Sequence, residues 1–404
     1  MIILRHKLQT TLLAVILLSP FAIQAQTWRD ESKNSFLAIA ARPPFGNLRV
    51  QLVTVTPGLT VTTAFGHSAL RVTRGADLAA EDFYVDFGEY DPSMSFLWRF
   101  LRGHARFTVN ILPMRSAYEA WDASGRGMFV SDLILTENEK AQLLAHIVEN
   151  VGKNAEGYEY HNFKNNCVTF MRDMISNAKG KKVSLPDSAI EKKNTWRTRV
   201  LDYSNENVWL RIHEKLLFDY TTDQVRDGHT LIYLPDDLKL ALETAGWVGK
   251  PVEVIRDRTF HPPKNRDIFG TVGILFMFLV LIAMLPVPAL KRFQSKGIRA
   301  FAVFSGLGGL LAFLVFAVTS FDFMSHNVTW LALCPVDFAL WTYKPSARWF
   351  YFAVTRLSMA ILALLLTLTV VPQTLTVILA FSISFFVLFT LECWKQKQAL
   401  VSNS

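Results

Sequence analysis

From residue 268 onward the chain is dominated by four apolar runs, 268–290, 300–321, 350–371 and 375–391. Each is close to the roughly 20 residues that cross a hydrocarbon core as a helix. Inside lipid, every backbone N–H and C=O must be satisfied within its own segment, so a four-helix transmembrane domain is the expectation for this third of the molecule. The connection between the first two runs holds Lys291, Arg292, Lys296 and Arg299, whereas the connection between the second and third is long, aromatic and nearly charge-balanced. The positive-inside bias then puts the first connection in the cytoplasm and the chain before residue 267 on the opposite side. The same count leaves the C-terminus outside, with Lys395 and Lys397 pulling the other way.

The beginning of the chain points the same way. Arg5, His6 and Lys7, an apolar run from Leu12 to Leu18, Ser19-Pro20 and a small-residue exit at Ala25 read as a signal peptide over residues 1–25. The alternative, an uncleaved anchor, is disfavoured by the short apolar core and by Pro20. The expected location is the inner membrane, multi-pass, with the exported part in the periplasm. The formal net charge of +8 suits an anionic membrane surface, and export removes nucleic acid as a partner. Three cysteines, Cys167, Cys334 and Cys393, are too few and odd in number for a disulfide framework, which leaves at least one thiol free or paired between chains.

Residues 26–266 are long enough for one sizeable core. Short β-rich runs at 51–56, 69–72, 83–87, 107–112 and 129–135 are separated by Gly, Asp and Pro. The period then changes: Thr136-Glu137-Asn138-Glu139 is a capping box that opens a helix to about residue 150. After a polar loop, Val168, Met171, Met174 and Ile175 recur at helical spacing behind Asn165, Asn166 and Cys167. Strands followed by helices make residues 26–184 an α+β domain. Residues 185–266 read as a basic, α-rich appendage and linker, with a helix opened by Pro235 and ended by Gly246, and residues 267–395 as the membrane domain before a tail at 396–404.

Cys167 stands where a thiol faces unpaired N–H groups and the positive end of a helix dipole, an environment that favours the thiolate. Its alternative role is that of a small buried hydrophobe. A cysteine nucleophile needs a base and a group that holds the base. His67, just after Gly66 at the mouth of a strand, is the candidate base; Asp86, or less fittingly Asp91, is the candidate orienting group. Alternation aims Asp86 and Tyr84 to one face. Asn166 is a helix cap, with a second possible role as an oxyanion donor beside the Cys167 N–H. Tyr158 and Tyr160 fit packing, and Arg172 with Asp173 a structural pair. Ser68 lacks the Gly-x-Ser-x-Gly elbow of a serine nucleophile. His104 and His161 have no partner at zinc-ligand spacing, so no metal site is expected.

Phe-Gly-His-Ser-Ala-Leu-Arg-Val (65–72) followed by Asn-Asn-Cys-Val-Thr-Phe-Met-Arg-Asp (165–173) resembles the circularly permuted NlpC/P60 (papain-like) fold, in which histidine precedes cysteine. More narrowly, the two motifs, with 86–91 and 101–103 between them, resemble the Lnb N-terminal periplasmic domain family. Members with a C-terminal membrane domain include the Bacteroides-type lipoprotein N-acyltransferase, and the order of parts here is similar. The resemblance implies a permuted papain-like domain followed by four membrane helices, with nucleophile Cys167 and base His67. It further implies an acyl chain moved from phospholipid, through a Cys167 thioester, to the N-terminal amine of a lipoprotein, without a cofactor. His326, in the outer loop 325–330, is a candidate for substrate binding, or simply an interfacial polar residue. Trp330, Trp341, Trp349 and Tyr351 are candidate belt aromatics. Two other classes remain open on sequence: a papain-like hydrolase, in which water resolves the intermediate, and a non-enzymatic envelope assembly module.

Overall fold

The computed structural model describes residues 30–259, apart from 61, 76–80, 92, 154–156 and 205–207, and in the C-terminal part 291–342, 347–369 and 386–395 with isolated residues between 282 and 398. The expected signal peptide, the linker 261–263 and almost all of the first expected span lie outside the described residues, as does the fourth span before residue 383.

A helix over residues 30–40 (α1) precedes the first strand, β1 (Arg49–Val55). Then come β2 (His67–Thr73), β3 (Asp82–Glu89), α2 (Met94–Leu101), β4 (Arg106–Pro113), α3 (Met114–Ser124), β5 (Met128–Asp132), α4 (Glu137–Gly152), β6 (Tyr158–Glu159) and α5 (Cys167–Ala178). The chain continues through α6 (Asp187–Ile190), α7 (Trp196–Tyr203), α8 (Val208–Leu217), α9 (Pro235–Thr244) and β7 (Val252–Ile255). The strands form one sheet in the order β6-β4-β3-β2-β1-β5-β7, with every pairing antiparallel. The five expected strands are β1 to β5. The helices α2 and α3, inserted between β3, β4 and β5, were not expected.

The caps explain where the two central helices begin. Thr136 accepts from the Glu139 N–H while the Glu139 side chain accepts from the Thr136 N–H at 2.8 Å. Asn166 Oδ1 accepts from the N–H groups of Val168 and Thr169, both at 2.9 Å, so α5 starts at Cys167. Val168, Met171, Met174 and Ile175 are all buried, and α5 packs against β2 and β3. Burying four such side chains stabilises this docking by about 1.5–3 kcal/mol each as an upper bound.

Residues 185–255 pack onto the preceding domain. Trp196, Val200, Phe218, Ile232, Tyr233 and Leu238 lie in the same core as β1–β4, α4 and α5, and β7 extends the sheet edge beside β5. Burial supplies the reason. Two of the basic residues in this stretch are buried onto acceptors: Arg197 donates to Asp223, Glu214 O, Phe218 O and Asp219 O, and Arg199 to Asp237.

Among the described residues two helices, not four, are long and apolar enough to cross a membrane, Phe293–Val318 and Arg348–Leu368. They are clamped through the loop between them. Arg356 donates to both carboxylate oxygens of Asp337 at 2.6 and 3.0 Å and to Leu331 O and Ala332 O, and Asp337 also accepts from Ser305 at 2.5 Å. After Val318 the chain enters the core of the preceding domain: Phe321 and Phe323 pack there, and the Asp219 N–H donates to Phe323 O at 2.8 Å. The domain thus sits on the C-terminal end of Phe293–Val318, the first apolar helix among the described residues, at the end opposite Lys291 and Arg292.

Candidate active site

His67 opens β2 and Asp86 lies in β3, 19 residues on, and antiparallel pairing of these strands brings the two side chains to one face. His67 Nε2 and Asp86 Oδ1 are 2.9 Å apart, with side-chain exposures of 15% and 17%. The β3–β4 register slips between Asp86 and Glu89. At that irregularity the Gly88 N–H turns back to donate to the same Oδ1 at 2.7 Å. A side chain at Gly88 would collide, since its Cβ would lie 2.9 Å from the His67 ring and 3.1 Å from Asp86 Oδ1. Asp86, rather than the exposed Asp91 beyond the end of β3, therefore holds the imidazole.

Cys167, half-buried at the first position of α5, lies close enough to His67 for its charge to act on the imidazole. Asp86 occupies Nε2, so Nδ1 is the ring nitrogen left for the thiol. Burial alone would pull the His67 pKa down, but the charge of Asp86, and then that of Cys167, holds it well above the usual histidine value. The Cys167 N–H finds no acceptor among the described residues, as expected at a helix start.

Aromatic residues close the site. Burial raises the pKa of Tyr84, Tyr158 and Tyr160, and the charge at Cys167 pushes each further in the same direction, so all three phenols stay neutral beside the thiol. The Trp121 ring lies 5.7 Å from that of His67, and its Nε1 donates to the Tyr84 hydroxyl at 3.2 Å. The Tyr158 hydroxyl donates to Phe87 O, and Phe170 of α5 stacks on Phe87. Trp121 was not singled out from sequence. Its signal was there, in Met114, Ala117, Tyr118 and Trp121 at helical spacing.

The other candidates fall outside the group. Asn166 is a cap whose amide N–H groups are both committed, to Asn162 O at 2.7 Å and Tyr233 O at 3.1 Å. This leaves the Cys167 N–H as the candidate oxyanion donor. His326 contacts Asp219, Ser325 and Tyr220, none of them part of the cluster. Gly66, with φ +73°, approaches Val55 O and Pro235 rather than α5. Ser68 is fully buried on the opposite face of β2 from His67. Arg172 is buried; it pairs with Asp173 and also donates to His229 O and Ile232 O. Among the described residues no group of three or more His, Cys, Asp or Glu is placed to hold a metal ion.

His161 and Lys164, in the loop that delivers Cys167, anchor that loop on the membrane side. His161 Nε2 and Asp322 Oδ1 are 2.8 Å apart, and Lys164 reaches Asp322 Oδ2. His161 Nδ1 accepts from the N–H groups of Phe163 and Lys164, which fixes the proton on Nε2, facing Asp322.

Residues 45–200 match the family model described as the Lnb N-terminal periplasmic domain, the family that the two motifs resemble. The match spans β1 to α7 and includes His67, Asp86 and Cys167. No curated protein and no solved structure matches the chain. The match and the two apolar helices describe a membrane protein with a periplasmic domain.

Proposed function

We propose that this protein is an acyltransferase of the inner membrane that uses Cys167 as nucleophile and His67 as base on a papain-like domain with histidine ahead of cysteine. The acyl donor is a phospholipid and the acceptor the N-terminal amine of a lipoprotein. The observation that carries this reading is His67 bonded to Asp86 at 2.9 Å and near enough to Cys167 to feel its charge, in a domain seated on the end of an apolar helix.

His67 takes the thiol proton on Nδ1, and Asp86 stabilises the resulting imidazolium. The sulfur attacks the ester carbonyl of a phospholipid, and the Cys167 N–H donates to the oxyanion. The intermediate collapses as the C–O bond breaks; the lysophospholipid alkoxide takes the proton from His67, leaving an acyl thioester. In the second half the acceptor amine attacks the thioester carbonyl, His67 removes its proton, and the C–S bond breaks to leave an amide. The leaving thiolate recovers its proton from His67. The neutral tyrosines around the sulfur keep water and competing charge away from the thioester.

The test is intact-mass and peptide mass spectrometry of the full chain after exposure to phospholipid, with a diacylated lipopeptide then added. The expected results are an acyl mass on Cys167, absent in Cys167→Ala, and its transfer to the lipopeptide amine. Free fatty acid without N-acylated peptide would make the enzyme a hydrolase. Full activity of Cys167→Ala or His67→Ala in cells would leave the domain a non-enzymatic module.

A further inference from the structure

The helix α2 (Met94–Leu101) is apolar on two faces, and only one is covered. Phe96 and Phe100 turn inward onto Tyr90, Phe107, Tyr160 and Phe321. Met94, Leu97, Trp98 and Leu101, at i, i+3, i+4 and i+7, face outward and are 80%, 47%, 55% and 49% exposed. A continuous stripe of large apolar residues in water is costly and marks an interaction surface.

The neighbours of α2 indicate what covers the stripe. Arg102 O, at the C-cap of α2, accepts from the backbone N–H of Ser320 at 3.1 Å and from its hydroxyl at 2.6 Å. Gly103 packs against Ser320 and Phe321. Ser320 lies two residues beyond Val318, where the apolar helix Phe293–Val318 ends. A helix of this length is about 12 Å long. The end of α2 is therefore joined to the point where the first apolar helix leaves the bilayer, and its whole uncovered face starts from that level. Arg99 and Arg102 are exposed at the same end, where they stabilise the helix dipole and meet anionic headgroups. Trp98 within the stripe suits an interfacial depth.

We propose that α2 lies in the outer leaflet of the membrane that the apolar helices cross, with Met94, Leu97, Trp98 and Leu101 among the acyl chains and Arg99 and Arg102 among the phosphates. The occupant is the bilayer surface, not a polypeptide, because the stripe continues an apolar helix rather than standing alone. Amphipathic helices of this kind sink about 5–10 Å into the headgroup and acyl boundary. Through the end of β3, from Asp86 to the loop before α2, the docked helix also sets the height of the candidate site above the lipid. The docking holds whatever reaction Cys167 performs.

The test uses the full chain in phosphatidylethanolamine–phosphatidylglycerol nanodiscs, with the photoreactive residue p-benzoylphenylalanine replacing Leu97, Leu101 or, as reference, Val252. Val252 is exposed on β7, at the sheet edge remote from α2. All three positions are exposed, so the fold tolerates the probe. After irradiation, mass spectrometry is expected to find a phospholipid-mass adduct at 97 and 101 and none at 252. Polypeptide adducts at 97 and 101, equal lipid labelling at all three positions, or no lipid at 97 and 101 would each overturn the proposal.

Discussion

The charge of Asp86 can be separated from its geometry. Asp86 Oδ1 accepts two hydrogen bonds, from His67 Nε2 at 2.9 Å and from the Gly88 N–H at 2.7 Å. In Asp86→Asn the remaining oxygen can still accept both, so the bulge persists and only the charge is lost. A hydrogen bond to a charged group contributes about 1.5–3 kcal/mol and a neutral one about 0.5–1.5 kcal/mol, leaving about 1–1.5 kcal/mol for the charge. If the imidazolium forms in the step that acylates Cys167, Asp86→Asn slows that step roughly 5- to 13-fold. Asp86→Ala removes the whole bond and leaves the Gly88 N–H without its acceptor, a loss of about 10- to 150-fold. Single-turnover accumulation of the acyl mass on Cys167, followed over a pH series, reads both variants. The sign is set by His67: because Asp86 and Cys167 raise its pKa and the base acts unprotonated, loss of Asp86 moves the acid limb of the rate profile to lower pH. Folding stability carries the same signature. The pair's contribution is full below the unfolded histidine pKa and fades as pH rises through the folded value, so wild type and Asp86→Asn converge in alkali. An Asp86→Ala variant as fast as wild type, or an acid limb that does not move, would refute this account of the site.

Three other perturbations test the scaffold. Glu214 is buried, and burial, against the weaker opposing pull of Ser204, Arg211 and Arg197, pushes its pKa up to about 8. The unfolded chain releases this proton first, so stability falls as pH rises from about 4.5 to about 8. Glu214→Gln should therefore melt higher than wild type near pH 8 and match it near pH 4.5 in thermal unfolding of the full chain; equal melting at both values would exclude the buried acid as the cause. Asp322→Ala removes the acceptor of His161 and Lys164; a local loss of about 1–2 kcal/mol speeds amide exchange over residues 160–166 by roughly 5- to 30-fold, and unchanged protection there would show that the loop is held without it. Asp337→Ala leaves the buried Arg356 charge without its carboxylate at about 3–5 kcal/mol, enough to lose folded protein, whereas Asp337→Leu with Arg356→Met recovers part of it; normal yield of Asp337→Ala in detergent gel filtration would contradict the clamp.

Short-range chemistry made part of this protein legible in its sequence. Thr136 and Asn166 cap helices because their side chains reach N–H groups three residues away, and that reach is written in local spacing. The strand positions, the start of the cysteine helix at Cys167 and the two apolar helices at 293–318 and 348–368 belong to the same class of signal. Long-range pairing decided the rest. His67 could be named as a base, but whether Asp86 or Asp91 faces it depended on the β2–β3 register and the irregularity at Gly88. Asn166 lost its second amide donor to Tyr233 O, 67 residues away in sequence. Arg197 and Arg199 turned inward because their acceptors, Asp223 and Asp237, arrive by packing. The apolar stripe of α2 lies outside because Phe96 and Phe100 already fill the space beneath it, and its contact with Ser320 joins residues 218 apart. Sequence thus determined the elements and the chemistry available to them, through contacts a few residues long. Tertiary structure determined which donors remain free at Cys167 and which apolar face remains uncovered, because both depend on partners that only the fold brings near.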